Sequence, residues 1–174
     1  MSPWSLVRRI VHAVRTTPSP RARARATAPP PSRSRASAPA GYPGDFTGRP
    51  RVTYSPTQGG TPDPGEVVWT WVPFEEDHRQ RKDRPVLLIG KDGRWLLGLM
   101  LTSKDHDLDA ADEARHGRFW LDIGAGPWDS RGRPSEVRLD RIVRIDPAAV
   151  RREGAILDRA TFDTVAQSLK KHHR

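Results

Sequence analysis

Between residues 60 and 66 the chain changes its chemistry, and that boundary decides where a fold can form. The first 60 residues carry ten arginines, at 8, 9, 15, 21, 23, 25, 33, 35, 49 and 51, against one acid, Asp45, a balance of +9. The chain holds 30 Lys and Arg and 21 Asp and Glu, so the residues beyond 60 hold twenty of each sign and balance at zero. The whole net charge of +9 therefore belongs to the N-terminal stretch. That stretch has few aliphatic side chains, and a segment of low hydrophobicity and unbalanced charge cannot bury enough apolar surface to offset the entropy of ordering. Residues 1–63 are accordingly expected to be a disordered, Arg/Pro/Ala/Ser-rich basic arm and linker, and residues 64–174 a domain. About 110 residues suffice for a modest core.

Within the arm, residues 16–40 are almost entirely Arg, Ala, Pro and Ser, a low-complexity composition that stays extended and solvated. Residues 41–63 read as a second connector, with Tyr42, Phe46 and Tyr54 among Gly and Pro, and the alternative is that these aromatics dock on the domain. The start places Trp4, Leu6, Val7, Ile10, Val11 and Val14 beside Arg8, Arg9 and Arg15. Arginines interrupt what would be the apolar region of a signal peptide, which argues against export and for a cytoplasmic protein. Two readings of this start remain open: a short basic amphipathic helix against membrane or RNA, and a solvated tail. Either way the arm would be drawn to polyanions. No apolar run reaches the ~18–20 residues that span a bilayer. The chain has no cysteine, which excludes disulfides, thiol nucleophiles and cysteine metal sites.

From Gly65 onward the pattern is that of short strands. Glu66-Val-Val-Trp-Thr-Trp-Val72 is β-branched and aromatic. Phe74 to Asp83 is charged and reads as a loop, and Arg84 to Gly90 as a buried strand with Pro85 near its start. Lys91-Asp-Gly93 is a hairpin signal before a third strand from Trp95 to Thr102. Lys104 to Gly117 reads as a long loop with a helical turn near Ala110–Arg115, and Arg118 to Ile123 as a fourth strand. After a Gly/Pro-rich loop, Ser135 to Ile145 forms a fifth strand or a bent pair. Asp146-Pro147 opens a short helical piece, because Asp caps free amides and Pro fits a first turn. Phe162, Val165, Ala166 and Leu169 share one face of a final helix that ends near Lys171. Short strands and a closing helix predict a mainly β, α+β domain built on a small, strongly curved sheet, such as an SH3-like barrel.

Four segments in order resemble the MazF/PemK family of toxin ribonucleases from type II toxin–antitoxin pairs. They are Pro64-Gly-Glu-Val-Val-Trp69, Arg84-Pro-Val-Leu-Leu-Ile89, Leu101-Thr-Ser103, and the stretch Ser135 to Asp146 that ends in Ile-Asp. The resemblance covers about residues 64–170. It implies an SH3-like barrel with a C-terminal helix, a homodimer, and metal-independent cleavage of single-stranded RNA at short sequences with no cofactor. It further implies a cognate antitoxin that blocks the site.

RNA cleavage without a metal needs a base for the 2′-hydroxyl, a proton for the leaving 5′-oxygen, and donors for the phosphorane charge. By the resemblance, Arg84 is the catalytic arginine, with the planar fork that suits phosphate. Its safest role is electrostatic, since an arginine releases its proton only above pH ~12. Thr102 matches the family's hydroxyl residue and Ser103 follows it. Arg138 and Asp140 match an Arg-x-Asp pair that some members use for acid–base work or phosphate contact, and a few members carry a histidine where His78 lies. The competing readings are an exposed strand-end arginine, a hydroxyl serving its own loop amides, an ion pair, and a solvated histidine. Trp71, Lys104 and Trp128 are the candidates for RNA contact, with Trp128 in its loop the best placed to stack on a base, whereas Trp69, Trp95 and Trp120 read as packing residues. His106 among Asp105, Asp107 and Asp109 lacks the glycine and closing glutamate of a calcium loop and reads as solvated, with no metal. The loop Glu75–Asp83 departs from the family in having no glycine. The alternative to an enzyme is a non-catalytic SH3-like module that binds nucleic acid or a protein, and a third reading makes the basic arm the main actor.

Overall fold

The computed structural model describes residues 41–57, 59–104 and 110–173. The arm expected over residues 1–40, and the His106 loop, lie outside the described residues. The elements run β1 (Glu66–Pro73), β2 (Arg81–Asp92), β3 (Trp95–Thr102), α1 (Ala110–Arg115), β4 (Trp120–Gly124), β5 (Ser135–Arg138), β6 (Val143–Ile145), a 3-10 turn (Pro147–Ala149), β7 (Arg152–Ile156) and α2 (Arg159–His172). The strands form one curled antiparallel sheet in the order β4-β5-β3-β2-β1-β7, with β6 also on β3. The mainly β fold with a C-terminal helix stands as expected, in the form of a half-barrel.

The curl comes from β3, which serves two neighbours along one edge. Leu96 to Gly98 pair with β6, and Leu101 and Thr102 pair with β5. The bent pair, not a single fifth strand, is what forms, because the turn over Leu139–Ile142 breaks the run. Alternation along β1 and β2 sorts apolar residues to two sides. Val67, Leu87, Leu99 and Leu101 pack with Phe162, Val165 and Leu169 of α2, while Val68, Val86, Leu88 and Met100 pack with Val143 and Ile145. Asp158 caps α2 by accepting from the Thr161 amide at 2.9 Å, a bond of the kind worth about 1 kcal/mol. Asp146 caps the 3-10 turn in the same way at 3.0 Å. Among the described residues no helix is long and apolar enough to cross a membrane.

Three elements differ from the sequence reading. Strand β2 begins at Arg81, inside the charged stretch read as loop, because β1 supplies it a ladder as far as Pro73↔Arg81. Strand β7 has no strand pattern of its own and forms by pairing with β1. The supposed connector is docked. Phe46 bridges Ile142, Thr53 donates to the Ile89 carbonyl at 2.9 Å, and Tyr54 donates its hydroxyl to the Leu157 carbonyl at 2.9 Å and packs on Phe162. Gly90 admits this strap: a Cβ there would sit 2.5 Å from the Arg51 carbonyl oxygen.

Candidate active site

Register places the first two candidate residues. Val86 pairs with Met100, and the β2–β3 ladder stops there. Extending that register by two residues sets Arg84 opposite Thr102, on the side of the sheet that Val86 and Met100 occupy. Pro85, which has no amide to donate, sits just where β2 loses β3 as a partner and keeps only β1. The two strand ends part there, and an open cavity of about 270 Å³ lies between them. Arg84, Thr102, Lys104 and Arg138 line it together with Lys82, Arg118, Trp120, Phe74, Glu75, Glu76 and Arg141.

The cations of this basin fall into two sets. Arg138 is buried and held by Asp140 at 2.6 Å and by Glu75 at 3.0 Å. Arg141 is held by Asp45 of the strap at 2.6 Å and donates to the Pro73 carbonyl at 2.9 Å. Arg118 lies 3.7 Å from Glu113. Lys82, Arg84 and Lys104 have no acidic partner among the described residues. Arg84 is half-buried, and desolvation alone pulls its guanidinium below the usual arginine range. Burial acts the same way on Arg138, but Asp140 and Glu75 outweigh it and hold that guanidinium more firmly protonated. Thr102 accepts from the Lys104 amide at 3.1 Å, which leaves its own O–H free to donate. The strand-end reading of Thr102 is thus met without consuming its proton.

Several expected site residues stand elsewhere. Asp140 lies beyond the end of β5, so it does not alternate with Arg138 on a strand face. Its carboxylate is spent on Arg138 and on the Phe119 amide at 2.9 Å, which fits a structural ion pair and not acid–base work. His78 packs edge-on against Tyr42 with centroids 5.1 Å apart, off the basin. Ser103 is exposed just past β3 and outside the lining. Trp71 faces a neighbouring cleft beneath Arg151, 4.9 Å from the ring. Trp128 is a core residue at 6 % exposure, bonded through Nε1 to the Ser135 hydroxyl at 3.0 Å, and its ring fills the space a side chain on Gly126 would need. It has no free face for a base.

The sequence reading missed Lys82 and Trp120. Lys82 was legible, since it lies two residues from Arg84 on the same strand face. Trp120 packs against the cluster of Val68, Val86 and Met100, as read, and also lines the basin half-buried, with Nε1 directed to Glu113 at 3.3 Å. Among the described residues no cluster of three metal-ligating side chains occurs.

Residues 63–173 match the family described as the PemK-like, MazF-like toxin of type II toxin–antitoxin systems. No curated protein matches the chain. Among solved structures it is similar to a chain of the MazE–MazF complex of Deinococcus radiodurans, at 17% identity and TM-score 0.45, over 65% of this chain and 96% of that one. It is also similar to the Mycobacterium tuberculosis toxin MazF-mt6, at 15% identity and TM-score 0.41, over 62% and 94% respectively.

Proposed function

The chain belongs to the PemK-like, MazF-like family of type II toxin–antitoxin toxins, and from that premise we propose that it is a metal-independent endoribonuclease that cuts single-stranded RNA in the Arg84–Thr102 basin. One observation carries this: a half-buried guanidinium with no acidic partner among the described residues shares an open cavity with a hydroxyl that donates to none of them. A desolvated, unpaired cation gains more from a phosphate than a solvated one does.

In the proposed reaction the scissile phosphate lies between Arg84 and Thr102. The 2′-oxygen attacks phosphorus in line, forming the P–O2′ bond as the P–O5′ bond breaks. The products are a 2′,3′-cyclic phosphate and a 5′-hydroxyl. Arg84 and the Thr102 hydroxyl donate to the non-bridging oxygens, where charge accumulates in the transition state. The lowered proton affinity of Arg84 also suits it to protonate the departing 5′-oxygen. Glu76, an exposed carboxylate on the basin wall, takes the proton of the 2′-hydroxyl. Lys82 and Lys104 hold flanking phosphates, and the Trp120 ring receives a base. Within the family's toxin–antitoxin arrangement, the protein acts as a homodimer restrained by a cognate antitoxin.

The test uses purified full-length protein and a mixed-sequence single-stranded RNA in EDTA. Cleavage leaving 2′,3′-cyclic phosphate ends, abolished by Arg84→Ala, is the expected result. Equal cleavage by the variant, or a requirement for divalent metal, overturns the mechanism.

A further inference from the structure

A second cleft shares the Val72–Pro73 wall with the basin and is lined by Tyr42, Trp71, Arg81, Arg94, Trp95 and Asp146, among others. Its cavity is about 50 Å³, large enough for a small oxyanion and too small for a nucleobase. Arg81 is the unusual member. It is only 8% exposed, has no carboxylate partner among the described residues, and its Nε–H is buried with no acceptor. Buried guanidinium donors are almost always bonded, because an unmet donor forfeits its hydration without recompense. Every other arginine with a buried side chain here is matched: Arg138 by Asp140 and Glu75, Arg141 by Asp45. The acids near Arg81 do not serve it. Asp83 turns Oδ2 to Arg151 at 2.7 Å and leaves its buried Oδ1 without a hydrogen-bond partner, and Asp146 caps the Ala148 amide. Arg94 adds a second cation at the mouth, 4.4 Å over the Trp95 ring.

We propose that this cleft is an oxyanion subsite in which Arg81 binds a backbone phosphate of the RNA other than the reacting one. The inference rests on the ribonuclease reading for the identity of its ligand, but not for the oxyanion chemistry. A guanidinium fork in a small cleft selects a tetrahedral oxyanion by paired bonds. Both linings include Val72 and Pro73, and one strand of substrate would reach both sites.

Inorganic phosphate is titrated into full-length protein, read by tryptophan fluorescence from the cleft and by the Nε–H resonance of Arg81. Because the basin also offers cations, the titration is repeated on Arg84→Ala. Saturable binding should persist in Arg84→Ala, weaken at least tenfold in Arg81→Gln, and recover in part in Arg81→Lys. Arg94→Gln, an exposed change that spares the fold, should weaken it severalfold. Phosphate binding that is the same in wild type, Arg81→Gln and Arg94→Gln overturns the subsite. A second arm uses 2′-O-methyl single-stranded oligonucleotides of increasing length, which cannot be cut. The gain in affinity with length should shrink in Arg81→Gln, and inorganic phosphate should compete. If phosphate binding depends on Arg81 but oligonucleotides bind both proteins equally, the RNA assignment is overturned and the site serves a free anion. If no variant binds oligonucleotide while phosphate still needs Arg81, the ribonuclease reading fails and the oxyanion site stands.

Discussion

The two sides of the basin use the same side chain for opposite purposes. At the β5 end, Arg138 and Arg141 are buried, and each is matched by carboxylates. On β2, Arg84 is half-buried with no such match among the described residues. A paired guanidinium has spent its donors and its charge on the protein, so it ties β5, the strap and the Glu75 loop together. An unpaired one keeps both for a ligand. Removing the first kind should damage stability, and removing the second should damage function alone.

Arg84→Ala tests this most sharply. Losing one preorganised donor to a developing oxyanion lowers the rate by about 10²–10³-fold. Stability should move within roughly ±0.5 kcal/mol, as for an ordinary surface change. Parallel cleavage assays and urea unfolding would show both, and a large loss of stability would erase the contrast between the two sides. Arg138→Ala should behave in the opposite way. It strands Asp140 in a poorly hydrated corner, and since Glu75 is half exposed the loss should fall below that for a fully buried pair, at about 2–3 kcal/mol. Urea unfolding would measure it, and a stability equal to wild type would remove Arg138 from its structural role.

Smaller effects refine the basin. Thr102→Ala should cut the cleavage rate about tenfold, a lost neutral donor being worth less than a charged one. Thr102→Ser should restore most of it in the same single-turnover assay. If the alanine variant cuts at the wild-type rate, the hydroxyl is serving only the Lys104 amide. Asp45→Asn should act most gently. Desolvation opposes ionisation of Asp45, but bonds from Arg141 and Tyr42 outweigh it and hold the carboxyl below its usual value. A lowered carboxyl contributes stability that is complete above its unfolded value, about pH 4, and is lost as pH falls through the folded value. The strap should therefore loosen in acid before the sheet unfolds, seen as early loss of amide protection at Phe46 and Thr53. In the asparagine variant that early phase should be absent from the pH profile and the strap weaker at neutral pH.

Much of the sheet was legible because β1 is β-branched and aromatic, β3 follows a hairpin signal, α2 carries one apolar face, and Asp146 announces its cap. What was illegible depends on neighbours. The run from Arg81 to Asp83 is polar, and only β1 beside it makes it a strand. The Arg152–Ile156 stretch has no alternation and is ordered by β1 from the other side. Resemblance singled out Arg84 and Thr102, which the structure brings to one cavity, and alternation with Arg84 would have added Lys82 to that lining. Trp128 turned out to be a core residue, since a tryptophan in a Gly-Pro loop gives no sign of whether the core will cover its ring.

From its residues alone the chain announced its first three strands and the apolar face of its last helix, because these are local properties of side-chain order. Only the tertiary structure decided which arginines are matched by carboxylates from afar. Arg81, Arg84, Arg138 and Arg141 are the same residue in sequence. Arg138 takes Asp140 two residues away and also the distant Glu75, Arg141 takes Asp45 of the strap, and Arg81 and Arg84 have no acidic partner among the described residues. Folding brings Asp45 and Glu75 within reach, and composition does not contain that.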